Sequence, residues 1–457
     1  MDVPAVIFRQ YDIRGVVGEQ LTPQVAHAVG RGLATLALER FGKPPRLAVG
    51  RDNRPSGETL SRAVRDGIAQ AGGTAVDVGM LPTPALYLAL HELDVNGGIQ
   101  VTGSHNPPEF NGFKLVIGHE SLHGHGIQRL RGVIEGDDFA RGEGAIEADG
   151  SVLDRYVEAI VSRNGPIERP IKVVADCGNG VASLVAERVI EGIGANVVPL
   201  FCESDGRFPN HHPDPTVPEN LAALQEAVRR ERAEMGIAFD GDGDRIGAVD
   251  EQGRIVFGDQ LLVLFGRDLA ERLGPGHAVI FDVKCSNVLV HQLKRARLKP
   301  VIWKTGHSLI KAKMREMGAP LAGEMSGHIF FGADYYGFDD ALFAAARLLA
   351  YAARRPGPMS SLLADLPETF ATPEIRVDCP DDTKFRIVEA AARHFGERYE
   401  VLTLDGVRMS FDDGWGLIRA SNTQPVLVMR FEAGSPEALK RYRTEVETWL
   451  REQGVTV

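Results

Sequence analysis

Three times along the chain a short, almost unbroken apolar run stops on an aspartate and gives way to a helix-like segment. LAVGRD ends at Asp52, KVVAD at Asp176 and AVIFD at Asp282. A strand without polar and apolar alternation is one covered on both faces, as in a parallel or mixed sheet flanked by helices. The same succession follows each run. A second apolar run comes next (TAVDVG, ANVVPL, KPVIW), then a turn that opens a helix (Pro82-Thr83-Pro84, Pro215-Thr216-Val217-Pro218, Thr305-Gly306-His307-Ser308), then a third strand (GGIQV, MGIAF, APLAG). These third strands stop in loops rich in glycine and polar residues, TGSHNP, DGDGDR and EMSGH.

Self-similarity on this scale predicts three copies of one βαβαβ-like unit. Each copy offers a loop at the carboxyl end of an equivalent strand, where open α/β sheets place their ligands. If the units pack face to face, the three loops converge on one cleft. Near residue 366 the pattern changes, and Pro356, Pro358, Pro367 and Pro373 mark a linker into a smaller unit. That unit has helical patterns in KFRIVEAAARHF and PEALKRYRTEVETWLREQ, with strand-like runs and the loop RASNTQP between them. The expected fold class is therefore α/β, with three similar βαβ-type mixed-sheet domains and a smaller C-terminal α+β domain around a central cleft. The expected boundaries are 1–149, 150–253, 254–366 and 367–457, the last domain serving as a lid.

Length agrees, since 457 residues exceed what one core comfortably covers. The formal charge of −11 leaves no basic footprint for nucleic acid or anionic lipid, so an anionic ligand must be caught by cations concentrated locally. Cys177, Cys202, Cys285 and Cys379 lie far apart without C-x-x-C spacing, which reads as reduced thiols rather than a disulfide frame or zinc site. No basic-then-apolar leader opens the chain and no run reaches the length of a membrane span, so the expected location is the cytoplasm.

The string IAFDGDGDRIGAVD carries the strongest chemical signal. Asp240, Asp242 and Asp244 alternate with glycines directly after an apolar strand, so the backbone can curl and aim three hard oxygen ligands at one magnesium ion. A calcium EF-hand is the rival reading, with Glu251 at its twelfth place. Its sixth place holds Arg245 instead of the glycine the turn needs, and its flanks read as strands. In Thr102-Gly103-Ser104-His105-Asn106-Pro107 a serine sits beside a histidine, yet the G-x-S-x-G elbow of a hydrolase is absent. Beside a magnesium site and several cations, the Ser104 hydroxyl can instead carry a phosphoryl group as a metal ligand.

Arg14, Lys114, Arg245 and Lys284, with His105, His307 and His328, fall in or next to these loops and suit the charge that phosphoryl transfer must neutralise. Glu324 and Ser326, two positions apart in GEMSGH, can grip vicinal sugar hydroxyls. Arg419, Ser421, Asn422 and Thr423 in RASNTQP suit a phosphate dianion.

Together these strings resemble the α-D-phosphohexomutase superfamily, and GEMSGH looks like its phosphomannomutase/phosphoglucomutase branch. The likeness runs from Tyr11-Asp12-Ile13-Arg14-Gly15 to RASNTQP. It implies Ser104 as the phosphoserine, bound to magnesium together with Asp240, Asp242 and Asp244. It implies Glu324 and Ser326 as readers of sugar hydroxyls, and Arg419, Ser421, Asn422 and Thr423 as holders of the non-reacting phosphate. Tyr11, Arg14, Lys114, Arg245, Lys284, His307 and His328 match positions lining the family's cleft. The resemblance further implies interconversion of hexose 1-phosphate and hexose 6-phosphate, of mannose or glucose, through a glucose or mannose 1,6-bisphosphate that turns end over end. Proton transfer would fall to Lys114, His105 or His328.

Two departures stand out: Gly103 where alanine is common, which is expected to loosen the serine loop slightly, and Lys304 where arginine often precedes TGHS. The expected partners are small sugar phosphates, met by a chain that can act as a monomer. The rivals are a phosphoglucosamine mutase, a silent sugar-phosphate binding protein, and a phosphatase or metal-dependent serine hydrolase.

Overall fold

A computed structural model describes residues 3–421 and 425–457. Its first three sheets repeat one plan. In the first, Gly97–Val101 and Thr74–Met80 flank Arg46–Arg51 in parallel, and Phe110–Ile117 runs antiparallel beyond Gly97–Val101. The second has Met235–Phe239 and Asn196–Leu200 on either side of Lys172–Asp176, with Ile246–Asp250 antiparallel. The third has Leu321–Gly323 and Lys299–Trp303 on either side of Ala278–Asp282, with Ile329–Phe331 antiparallel. The loop between the third and the antiparallel strand is thus equivalent in each copy, and these are the serine, aspartate and GEMSGH loops.

The apolar runs form strands because both faces are covered. Val173, Val174, Ala175 and Asp176 are all buried, as are Val279, Ile280, Phe281 and Asp282. A buried strand that ends on a carboxylate needs donors at its tip, and loops supply them. Asp52 accepts from Thr102 Oγ1 at 2.8 Å, and Asp282 accepts from Thr305 Oγ1 at 3.1 Å and from the Met325 amide at 3.0 Å. The recurrent aspartates therefore pin the loops that follow other strands. Ile13–Val16 joins the first sheet at its edge, opposite Gly112, which brings Arg14 to the serine loop.

One apolar core runs through the first three units, taking in Leu86, Phe239, Phe281 and Phe343. Backbone bonds also knit their loops, with the Thr83 amide on the Asp242 carbonyl at 2.9 Å and the Ile246 amide on the Gly327 carbonyl at 3.1 Å. The fourth sheet spans Phe370–Ala371 to Val426–Ala433 and has its own core around Phe395, Phe431 and Trp449. Its helices, Asp381–Gly396 and Pro436–Glu452, cover the stretches whose periodicity predicts them. The linker is anchored rather than free, since Arg267 donates to the Leu362 carbonyl at 2.7 Å and pairs with Asp365 at 2.9 Å.

The seam between the third and fourth units combines a small apolar cluster, Val283 and Ile302 against Trp415 and Leu417, with a set of polar contacts. Arg408 lies 3.9 Å above the Trp415 ring and donates to the Cys285 carbonyl at 2.9 Å, while Ser286 Oγ donates to Glu432 at 2.8 Å. Lys284 crosses the same seam to Glu374 at 3.3 Å. The Lys284 ammonium holds Glu374 down from 4.5 to about 2, against the opposing pull of burial. A carboxylate with a depressed folded value stabilises the native state above its unfolded value and loses that contribution as pH falls toward the folded one. The urea midpoint of the wild type should therefore exceed that of Glu374→Gln near neutral pH. That difference should shrink as pH drops from 4.5 toward about 2. A difference that stays constant with pH would rule out the ion pair as its source.

Candidate active site

The serine loop is shaped by one buried guanidinium. Arg54, which follows the first recurrent aspartate, donates to the carbonyls of Ser104 (2.8 Å), Asn106 (2.5 Å), Pro107 (2.6 Å) and Phe110 (3.0 Å) and pairs with Asp52 at 3.2 Å. Gly103 makes the approach possible, because a Cβ there would lie 2.5 Å from the Arg54 guanidinium. The missing methyl is thus filled by Arg54, and its absence does not leave the loop loose. Ser104 has φ 51°, in the left-handed region, at a cost of about 1–2 kcal/mol for a residue with a Cβ. In that conformation its buried hydroxyl leaves its own domain and donates to Asp240 Oδ2 at 3.2 Å.

The aspartate loop is folded by its own first residue. Asp240 Oδ1 accepts from the amides of Asp244 at 3.0 Å and Arg245 at 3.1 Å, which curls the chain and turns the carboxylates inward. Gly241 admits no side chain, since a Cβ would fall 2.3 Å from the Ser104 carbonyl oxygen. Asp242 Oδ2 accepts from Thr83 Oγ1 at 2.5 Å and from Lys114 at 2.7 Å, and Lys114 also pairs with Asp244. Glu251 faces away, bonded to Ser360 Oγ at 2.6 Å, and Ile246–Asp250 follows the loop as a strand, so no EF-hand is built.

Asp240, Asp242 and Asp244 bring one oxygen each within 4.8 Å of one another, all fully buried. Asp242 Oδ1 and Asp244 Oδ1 have no hydrogen-bond partner. A single ammonium does not balance three carboxylates in a medium of low dielectric. Burial, Asp244 and Asp242 push the Asp240 carboxyl well up. An all-oxygen donor set with two unsatisfied anionic oxygens fits a hard divalent cation.

Arg245 links this loop to the other two. It donates from Nε to His328 Nε2 at 3.0 Å and contacts His105 Nδ1 at 2.8 Å. His328 Nε2 accepts, so the ring carries its proton on Nδ1, which faces Asp339 at 3.1 Å and Asp244 at 3.5 Å. Asp339 also meets His307 at 3.3 Å and Lys311 at 2.9 Å, and Lys311 stands 4.1 Å over the Tyr87 ring. Burial, then Arg245, brings His105 down to about 4, and burial, then Lys311, does the same for His307. Both rings are neutral at physiological pH. Asp214 lies 3.0 Å from His105. Arg14 reaches the serine loop through Asn106 at 2.7 Å and rests on Asp12 at 2.6 Å.

The third loop joins the far side of the cleft. Glu324 is buried and accepts from the Gly306 amide at 2.7 Å, with Ser326 half-buried two residues on. Tyr11 donates to the Thr305 carbonyl at 2.8 Å and packs where a Cβ on Gly306 would lie 2.6 Å from its ring. Lys284 lies 3.9 Å from Asp282, and although burial pulls its ammonium down, Glu374 and Asp282 leave it raised. From the fourth domain Arg419 donates to Asp405 at 2.8 Å, and Asp405 accepts from the Thr305 amide at 2.9 Å. Ser421 is buried, with its amide on the Val426 carbonyl. Asn422 and Thr423 lie outside the described residues.

The expected site residues that are described therefore come together where loops of all four domains meet. Sequence reading missed Arg54, Thr83, Asp214, Lys311, Asp339 and Asp405. Of these, Asp339 alone left a trace, as part of two adjacent aspartates in an aromatic stretch.

The chain matches, in order, the phosphoglucomutase/phosphomannomutase alpha/beta/alpha domain I over residues 5–137, domain II over 154–253, domain III over 257–370 and the C-terminal domain over 374–448. It is 48% identical over 451 residues to a phosphomannomutase/phosphoglucomutase of Pseudomonas aeruginosa, covering 98% of this chain and 96% of that one. A phosphoglucomutase of Neisseria gonorrhoeae is 43% identical, covering 95% of this chain and 94% of that one. The crystal structure of a phosphoglucomutase/phosphomannomutase family protein from Burkholderia thailandensis superposes with a TM-score of 0.91 at 43% identity, covering 98% of both chains.

The backbone contact between the serine and aspartate loops generates a test. Gly241→Ala must push the Ser104 carbonyl aside, and a misplacement near 1 Å costs on the order of 10²-fold in rate. We expect turnover to fall by about that factor while the circular dichroism spectrum stays native. Wild-type turnover in the variant would mean that the two loops need not touch.

Proposed function

The chain belongs to the phosphoglucomutase/phosphomannomutase family, and we propose that it interconverts hexose 1-phosphate and hexose 6-phosphate, of glucose or mannose, by way of a phosphate carried on Ser104. The observation that carries the reading is the Ser104 hydroxyl 3.2 Å from Asp240, at the mouth of a buried carboxylate cage, with Lys114 and Arg245 on either side.

Asp240, Asp242 and Asp244 would hold Mg2+ together with an oxygen of the phosphoserine. When bound, the ion supplies positive charge to the phosphoryl oxygens. The remaining work belongs to the chain's own groups. Lys114 sits between two carboxylates, and although burial pulls its ammonium down, Asp242 and Asp244 hold it well above its ordinary value. That direction suits charge stabilisation at the transferring phosphate.

His328, held between Arg245 and Asp339 in the loop that carries Glu324, is a candidate for moving the sugar's proton. In the first half-reaction a sugar hydroxyl loses its proton to that group, its oxygen bonds to phosphorus, the bond between Ser104 and phosphorus breaks, and a proton returns to the Ser104 oxygen. A hexose 1,6-bisphosphate results. After it turns, the other phosphate returns to Ser104 and the isomer leaves. Glu324 and Ser326 would hold the sugar hydroxyls, with Tyr11, Lys284 and His307 lining their side of the cleft, and Arg419 and Ser421 would hold the phosphate that is not reacting.

This arrangement supports a mutase over a phosphatase, since transfer back to Ser104 needs a cleft closed by a fourth domain. Which of glucose, mannose and glucosamine phosphate is preferred is a question of the one substituent, at carbon 2, in which they differ. Turnover of the three sugar phosphates, measured side by side, decides that question.

Ser104→Ala should lose about 10³-fold or more in mutase turnover, as does removal of a nucleophile elsewhere. Residual activity near the wild-type level would remove the phosphoserine from the mechanism. Adding Mg2+ should raise the thermal midpoint of the wild type, because the ion binds the native cage, and should leave Asp242→Asn unmoved. Equal shifts in both proteins would place the ion elsewhere.

A further inference from the structure

Two cysteines that sequence spacing keeps apart are brought together in the second domain. Cys177 follows the strand Lys172–Asp176 and Cys202 follows its parallel neighbour Asn196–Leu200, in which Leu200 lies opposite Asp176. The Cys177 amide donates to the Leu200 carbonyl at 3.0 Å, which locks the two strand ends in register. The sulfurs are 2.8 Å apart. Cys177 is fully buried and belongs to the shared core, whereas Cys202 is partly exposed. Neither thiol touches a group of the proposed mechanism.

The surroundings give the pair a position of consequence. Asp176, next to Cys177, accepts from the Gly178 amide at 2.9 Å and faces His211 at 3.0 Å. The Asn179 carbonyl accepts from Asn53 of the first domain at 2.7 Å, and the Val181 amide rests on the Gly241 carbonyl at 3.1 Å. The Cys177 loop therefore connects the first domain to the backbone of the aspartate cage.

We propose that Cys177 and Cys202 are a dithiol that a small disulfide such as oxidised glutathione converts, reversibly, to an intramolecular disulfide. Cys202 is the entry point, being the less buried of the two. Its thiolate attacks one sulfur of glutathione disulfide, that disulfide bond breaks, and one glutathione thiolate leaves and takes up the proton that Cys202 has shed. The Cys177 sulfur then attacks the Cys202 sulfur of the mixed disulfide, gives up its own proton and releases the second glutathione. In sum, two protein thiols and one glutathione disulfide yield one protein disulfide and two glutathione thiols. Burial pushes the Cys177 thiol well up, which keeps it from reacting with external oxidants on its own account. Its closeness to Cys202 supplies the advantage of an intramolecular reaction. The result diverts Cys202 from irreversible oxidation to a state that thiols reverse.

The test treats the folded, full-length protein with oxidised glutathione and reads intact mass and disulfide-mapped peptides. We expect the wild type to lose two hydrogens, to carry no glutathione, and to show one cross-link between residues 177 and 202 that dithiothreitol reverses. Cys177→Ser should instead accumulate one glutathione on Cys202, and Cys202→Ser should take up neither. If the buried Cys177→Ser variant does not fold, the wild type and Cys202→Ser still decide the matter. A wild type that keeps glutathione on Cys202, or that cross-links only after denaturation, overturns the proposal.

Discussion

The Ser104 hydroxyl reaches the carboxylates of another domain because a buried guanidinium holds its loop in a shape the backbone resists. Arg54 binds four carbonyls of that loop, and its charge is balanced by Asp52. Hydrogen bonds from a charged donor contribute about 1.5–3 kcal/mol each, against about 1–2 kcal/mol for holding a non-glycine residue in the left-handed region. The network outweighs the strain it imposes at Ser104. Two glycines then set the distance. Gly103 lets the guanidinium in from one side, and Gly241 lets the aspartate loop touch the Ser104 carbonyl from the other.

From that contact the rest of the cleft takes its form. Arg245 leaves the aspartate loop and joins the histidine of the third loop to the histidine beside Ser104, so groups from three domains share one charge network. A common apolar core joins those domains beneath a site spread over three chain segments. The fourth domain has its own core and meets the third through a small apolar cluster and a set of polar contacts. Seams of that composition resemble transient interfaces and permit relative motion. On the proposed mechanism, a bisphosphate that turns end over end without leaving would use such a domain to hold one phosphate and then the other.

Much of this was legible in the chain. The repeat showed in three apolar runs that end at Asp52, Asp176 and Asp282, and the strand order is the same in all three sheets. Ser104, the aspartates and Glu324 stood out because each lies in a polar string directly after a strand, where the chemistry is contiguous. Arg54 did not. In NRPSG it reads as a surface charge, and the carbonyls it binds lie 50 to 56 residues away. Asp214 and Asp405 were hidden for the same reason, since each acts on a histidine or a loop from a distant segment. The thiol pair was hidden because parallel strands join residues that are separated by a helix.

The central claim is that phosphate passes between Ser104 and the sugar within one closed cleft. It is tested most directly by a single turnover of enzyme carrying labelled phosphate on Ser104, mixed with unlabelled hexose 1-phosphate and quenched over time. The label should move first into hexose 1,6-bisphosphate and then into hexose 6-phosphate. Label that appears as inorganic phosphate, or that stays on the protein while product forms, would contradict the account.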